Sequence, residues 1–481
     1  MTATPIWQLS ASELAERIAN REMTAEAAVM ATVERMRSVN GDLNAVVDDL
    51  GDDAVVRARE LDAVLKTSGP LGPLHGVPVT IKENVDQKGR ATPNGVEAFA
   101  DVIAPDDAPF VKNLTRDGAV VIGRTNTPEF SFRATTTNRL HGRTFNPWND
   151  WASSGGSSGG ASTAVMSGMG PIAHGNDIGG SLRFPSAATG AVTVKPGLGR
   201  TPAWNPSQKV ERGMLAQLMS VQGVICREVK DVRLAMQSAV AYDPHDPWQV
   251  PVPFDGPALE GPIEVAFTRN TYQFEAHPAI SEALDVARDC LVDAGYRVTE
   301  VETPDIGEIG ETGYRALMSE MEVLMMPDIR RHGSAEINRM FDEYFELFPP
   351  FENDELLRQM ARRSHFIRQW NLLLAKYPIV LTPFLPTMTP AWNRDAEGKE
   401  GIMEVLGCGI WSFAINYMGF PAGIVSSEMH EGMPVAVQMV GRRFREDMIL
   451  NALEAVESRV GVMAKTLFKQ RSASNRRSAR L

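Results

Sequence analysis

Apolar positions recur at helical spacing through residues 10–66. Ser10 followed by Glu13 is a capping-box pattern and predicts a helix running to about Ala19. Thr24 opens a second periodic stretch over 24–40, and residues 54–66 read as a third. The texture then changes. In GVPVTIKENVD (76–86) the pattern alternates with period two, placing Val77, Val79 and Ile81 on one face and Pro78, Thr80 and Lys82 on the other. AVVIGRTNTPEF (119–130) and AVTVKPGLGR (191–200) read as further strands. Helix-like stretches, DAPFVKNLTRDG (107–118) and GASTAVMSGMG (160–170), lie between them. This alternation predicts an α/β fold with a layered sheet. Residues 308–371 are a long, Met-rich helical region that suits core packing by adaptable side chains first, a role that does not exclude a cap over a pocket. YPIVLTPFLP (377–386) returns to strand pattern, and MPVAVQMVG (433–441) reads as the last major strand, followed by a helix over 445–459. No tandem repeat and no inter-domain linker interrupts the chain.

Composition narrows the function. The chain has 481 residues, 43% hydrophobic and 22% charged, which is ordinary for a globular protein. A net charge of −12 opposes binding to a phosphate backbone, so no nucleic-acid partner is expected. Cys226, Cys290 and Cys408 are far apart and odd in number, with no CxxC pair, and they predict free thiols in a reducing cytoplasm. No apolar run approaches the length of a spanning helix, and the N-terminus lacks the basic and apolar regions of a secretory signal, so no membrane association is expected. The basic end, residues 471–481, is expected to be a disordered tail.

Several motif matches fail on context. Gly155-Gly156-Ser157-Ser158-Gly159 fits the G-x-S-x-G pattern, but NPWNDWASS before it is a loop rather than the strand that a nucleophile elbow needs. Gly168-x-Gly170-x-x-Ala173 resembles a dinucleotide fingerprint, yet it follows a helix-like stretch and contains Pro171. The eight histidines are scattered without metal-ligand spacing, and His174 reads as a structural hydrogen-bonding residue. HGNDIGGSLRFPS (174–186) is more informative. Consecutive glycines can turn successive N–H groups toward one point, the geometry of an oxyanion hole, with Ser181 beside it as a nucleophile. A tight turn ending in a helix-capping serine fits the same residues. With no well-placed histidine, the base would be a lysine whose pKa falls from ~10.4 toward ~7–8, a pressure of about 4 kcal/mol. Lys82 and Lys195 both end apolar strands and both qualify.

Lys82, GGSSGG (155–160) and GNDIGGSLRFPSA (175–187) together resemble the amidase signature family. Lys82 stands 75 residues before Ser157, and Ser181 stands 24 after it, as in that family. GRTNTPEF (123–130), FNPW (145–148), GVICREVKDV (223–232) and MPVAVQMVGRRFREDMIL (433–450) extend the resemblance over roughly residues 10–460. It implies one large layered α/β domain over 1–470, its central mixed sheet flanked by helices on both faces, with the cap-like region within it. It also implies a Ser–cisSer–Lys triad and an acyl-enzyme. Ser181 would attack the amide carbon, Ser157 would bridge Ser181 to neutral Lys82, and the N–H groups of Ile178, Gly179, Gly180 and Ser181 would hold the oxyanion. The Gly156–Ser157 peptide would be cis. Ser158 would support the lysine, while Asp177 and Arg183 would brace the nucleophile loop. No metal and no cofactor are required. Asn176, where the family commonly has Ser or Thr, and VTVKPGLGR, which departs from the usual Lys-Pro-Thr pattern, put local geometry in question.

The expected activity is hydrolysis of a small-molecule carboxylic amide by a cytoplasmic enzyme; a homodimer is common in the family it resembles but is not dictated by this sequence. Aryl or other apolar acyl groups are favoured by the Met, Phe and Trp content of 315–370 and 404–420. Alternatives on the same triad are an amidotransferase-type glutaminase subunit working with a partner, or hydrolysis of a hydrazide, an ester or a cyclic amide. A catalytically dead scaffold is disfavoured by the intact Lys82, Ser157 and Ser181.

Overall fold

The computed structural model describes residues 4–478. Among these, the strands are β1 (Val46–Asp49), β2 (Pro78–Lys82), β3 (Val120–Thr125), β4 (Ile172–Asp177), β5 (Val192–Lys195), β6 (Val221–Cys226), β7 (Glu264–Phe267), β8 (Arg297–Glu300), β9 (Ile379–Pro383), β10 (Ala422–His430) and β11 (Met433–Gly441). They form one 11-stranded sheet in the order β1-β3-β2-β4-β6-β5-β10-β11-β9-β7-β8. Parallel pairs (β2 with β3 and β4, β7 with β8 and β9) and antiparallel pairs both occur, so the sheet is mixed.

Side-chain alternation gives the sheet two buried faces. On β11, Val435, Val437 and Met439 join a core with the helices Val229–Ala239, Pro278–Asp293 and Glu446–Val460, while Ala436 and Val440 join the opposite core with the helices Ile306–Leu324 and Ile410–Met418. On β2, Val79 and Ile81 pack into the first of these cores, which turns Lys82 to the other face. All five residues of β2 are buried, as expected for a central strand covered on both sides.

The early helices form as the sequence predicts. Ser10 Oγ accepts the Glu13 N–H at 3.1 Å and Glu13 Oε2 accepts the Ser10 N–H at 2.8 Å, closing the capping box ahead of Ala11–Ala19. Three strands carry no clear strand pattern. β4 reads IAHGND, rich in residues that strands disfavour, and it is extended because it pairs in unbroken register with β6 from Ile172↔Cys226 to Asp177↔Val221. β1 and β8 are short, β1 being partly buried and β8 mostly exposed. The expected disordered tail at 471–481 is also different in the described residues, because the last helix spans Met463–Ser478. Ala464, Leu467 and Phe468 anchor it in a core with Val165 and Met166, and Arg471 donates to the Pro147 carbonyl at 2.6 Å. Residues 479–481 lie outside the described residues.

The Met-rich region at 308–371 is a set of helices, Ile306–Leu324, Met326–His332, Ala335–Leu347 and Glu355–Lys376. Met318, Met321, Met326 and Met340 are buried there among Tyr314, Phe341 and Trp370.

Candidate active site

Lys82 ends β2 between the two parallel neighbours β3 and β4 and is fully buried. Its Nζ is within hydrogen-bond distance of Ser157 Oγ at 2.6 Å, Asn176 Oδ1 at 2.8 Å and Ser158 Oγ at 3.1 Å. Burial pushes the amine down to about 7, against the opposing pull of the Asp177 and Glu83 carboxylates. A lysine in that range can hold or release a proton at neutral pH.

The run SSGGSSGG (153–160) has linker composition but is buried throughout. The Gly156–Ser157 peptide is cis. A Cβ on Gly156 would lie 2.4 Å from the Arg133 carbonyl oxygen, so a side chain there collides with backbone. Ser157 and Ser158 stand immediately before the helix Gly159–Ser167, and no strand leads directly into them, as the loop reading of NPWNDWASS predicts.

Ser181 sits in the turn between β4 and the helix Arg183–Thr189. Asp177 organises this turn. Its Oδ1 accepts the Gly180 N–H at 2.8 Å and its Oδ2 the Leu182 N–H at 3.1 Å. Arg183 closes the arrangement with Nε to Oδ2 and Nη2 to Oδ1, each at 3.1 Å. Burial alone would raise the Asp177 carboxyl, but the Arg183 guanidinium, with Lys195 and the Gly180 N–H, holds it below its usual value. These bonds correct one expectation. Gly180, at φ 121°, turns its N–H onto Asp177, so it does not join the oxyanion donors. The N–H groups of Ile178, Gly179 and Ser181 have no acceptor within the described residues.

Ser157 and Ser181 line one cavity of about 390 Å³. Their hydroxyls are not hydrogen-bonded to each other; the bond between these segments runs from the Ser158 N–H to the Ser181 carbonyl at 3.3 Å. Asn84 and Asn176 supply polar wall beside the serines, and Phe130, Phe132, Leu317 and Met321 supply apolar wall. A smaller adjoining compartment reaches Ser181 through Phe132, Phe184, Tyr314, Tyr344 and Phe413.

The rival lysine is placed differently. Lys195 is equally buried and also pushed down to about 7, first by burial and then by Arg183, yet its Nζ has no hydrogen-bond partner among the described residues. His174 bonds Gln222 at 2.9 Å and is pushed down to about 3 by burial, which keeps it neutral. Three supporting residues escape the sequence reading. Arg183 donates to Gln438 Oε1 at 2.9 Å, to the Ser412 carbonyl at 3.2 Å and to Asn416 Oδ1. Gln438 alone carried a signal, being a polar residue on an inward face of the apolar strand MPVAVQMVG.

The profile of the amidase family matches residues 27–450. An indoleacetamide hydrolase of Bradyrhizobium diazoefficiens is 45% identical over 466 residues, covering 97% of this chain and 89% of that protein. An acylamidase of Rhodococcus erythropolis is 30% identical over 480 residues, covering 95% and 97%. Among solved structures, a bacterial aryl acylamidase of the amidase signature enzymes superposes with a TM-score of 0.83 at 23% identity, covering 96% of this chain and 99% of that one. The chain belongs to the amidase signature family. It is an amidase, a hydrolase of carboxylic amides. Among the described residues no helix is long and apolar enough to cross a membrane.

Proposed function

We propose that the enzyme hydrolyses primary amides of arylacetic acids, indole-3-acetamide first among them, through an acyl-enzyme on Ser181. The observation that carries this reading is the 2.6 Å contact of Lys82 Nζ with Ser157 Oγ, a serine that lines the same cavity as Ser181. Similarity to the indoleacetamide hydrolase of B. diazoefficiens supports the substrate, and the Phe132, Tyr314 and Phe413 rings beside Ser181 suit a flat aromatic acyl group. Three free, buried cysteines support a reducing, cytoplasmic setting.

In this reading Ser181 Oγ attacks the amide carbon while its proton passes to Ser157, whose own proton passes to neutral Lys82. The relay requires the two serine hydroxyls to meet, and catalytic contacts of this kind tighten in the Michaelis complex. The N–H groups of Ile178, Gly179 and Ser181 stabilise the oxyanion. Collapse of the tetrahedral species breaks the C–N bond, and the lysine proton returns through Ser157 to the nitrogen, which leaves as ammonia. Water then attacks the ester carbonyl by the same route and frees the carboxylate and Ser181.

The test is a panel of amides assayed for ammonia with the isolated chain: indole-3-acetamide, phenylacetamide, hexanamide, acetamide and glutamine. The reading predicts the highest kcat/KM on the arylacetamides. Preference for glutamine, or turnover only with a second subunit present, would replace it with the amidotransferase reading.

A further inference from the structure

We infer that Asn176 is a positioning residue that aims the lone pair of neutral Lys82 at Ser157. The inference rests on the proposed Lys82–Ser157–Ser181 relay and adds what orients its base. The Asn176 carboxamide cannot turn freely. Its Nδ2 donates to Asn84 Oδ1 at 3.0 Å, which leaves Oδ1 facing Lys82 Nζ at 2.8 Å. Asn84 is held in turn, donating through Nδ2 to Ser131 Oγ at 2.9 Å, and the Ser131 hydroxyl donates onward to Asn94 Oδ1. Each link fixes the direction of the one before it.

A neutral amine has two N–H donors and one lone pair, and Lys82 has three oxygen neighbours. An amide oxygen only accepts, so Asn176 takes one N–H. The Ser158 hydroxyl points to the Asn176 main-chain carbonyl at 3.5 Å, so its oxygen takes the other N–H. The lone pair is left for Ser157, the nearest neighbour at 2.6 Å, and Ser157 is thereby made the donor. That is the protonation geometry the relay needs. A Ser or Thr hydroxyl at 176 could rotate and donate into the same lone pair, competing with Ser157.

The other ionisable groups facing the lysine are already committed. Asp177 is bound by Arg183, Glu83 accepts the Gly95 N–H and faces His141 Nε2, both at 2.9 Å, and His174 bonds Gln222. Arg124, on β3, donates to the Glu83 and Val85 carbonyls. None of them offers Nζ an alternative hydrogen bond.

The experiment follows the rate at which a fluorophosphonate probe labels Ser181, as a function of pH, in Asn176→Leu, Asn176→Thr and Asn176→Asp. Labelling reports activation of the serine whatever the natural substrate is. Asn176→Leu should lower the plateau rate about tenfold or more, with Asn176→Thr between it and the native enzyme. Asn176→Asp keeps the shape of the side chain but adds a negative charge beside the amine, so its acid limb should move up by about one pH unit or more. A structural role alone would lower the amount of folded enzyme without moving that limb. Native plateau rates in the Leu and Thr variants, or a native acid limb in the near-isosteric Asp variant, would overturn the inference. Labelling that survives Ser181→Ala, or is unchanged in Lys82→Met, would instead overturn the relay.

Discussion

Asp177 and Arg183 face each other through two parallel hydrogen bonds, both side chains being fully buried. The carboxylate also holds the Gly180 and Leu182 N–H groups, so the pair fixes the backbone on either side of Ser181. Removing one partner of such a pair strands a buried charge. Arg183→Met should lower unfolding free energy by about 3–5 kcal/mol in urea denaturation. A change under about 0.5 kcal/mol would show that the pair does not hold the turn.

The base works only when neutral, so kcat/KM on a neutral amide should rise with pH and level off above about 7, the value set by burial of Lys82. Below that value the rate should fall about tenfold per pH unit. Lys82→Met should remove this limb together with nearly all activity. A profile flat from pH 6 to 8 would assign the base elsewhere.

Lys195 shares the depressed pKa but hydrogen-bonds to no serine among the described residues, so Lys195→Met should leave the acid limb in place. Its signature belongs to stability. Between about 7 and the unfolded value of ~10.4 the unfolded chain binds a proton that the folded lysine lacks, so stability rises with pH across that window, by about 1.4 kcal/mol per unit per group. Stability contributed this way is lost as pH falls toward 7. Lys195→Met should reduce the slope, as read from urea midpoints at pH 7.5 and 9. An unchanged slope would place the amine in contact with solvent.

Leu317 borders both the main cavity and the aromatic compartment. A Trp there would fill the space intended for an aryl ring. Leu317→Trp should lower the ratio of kcat/KM for indole-3-acetamide to that for acetamide about tenfold or more. An unchanged ratio would move the acyl group to the Trp204 side of the cavity.

The strand ending in Lys82 was legible because period-two alternation and burial coincide there. β4 was not, because IAHGND acquires its conformation from pairing with β6 rather than from its own composition. Lys82 and Lys195 look alike locally, each closing a short apolar strand, and only long-range contact separates them. Lys82 hydrogen-bonds to serines 75 and 76 residues away, whereas Lys195 hydrogen-bonds to none among the described residues. The resemblance supplied Ser157, Asp177 and Arg183, whereas Ser181 was already a candidate from the glycines before it. The resemblance gave no warning of Gln438, Asn416 and Ser412, more than 220 residues beyond the arginine they orient. The Gly/Ser composition of 174–186 indicated an N–H cluster but could not show that Gly180 is spent on Asp177.

The chemistry turns on a covalent intermediate at Ser181, which rapid-quench mass spectrometry with indole-3-acetamide would capture. A transient gain of one indoleacetyl group is expected, mapped by peptide sequencing to Ser181 and absent in Ser181→Ala, which should also lose turnover. Undiminished turnover in Ser181→Ala, or an acyl group mapped to another residue, would contradict it.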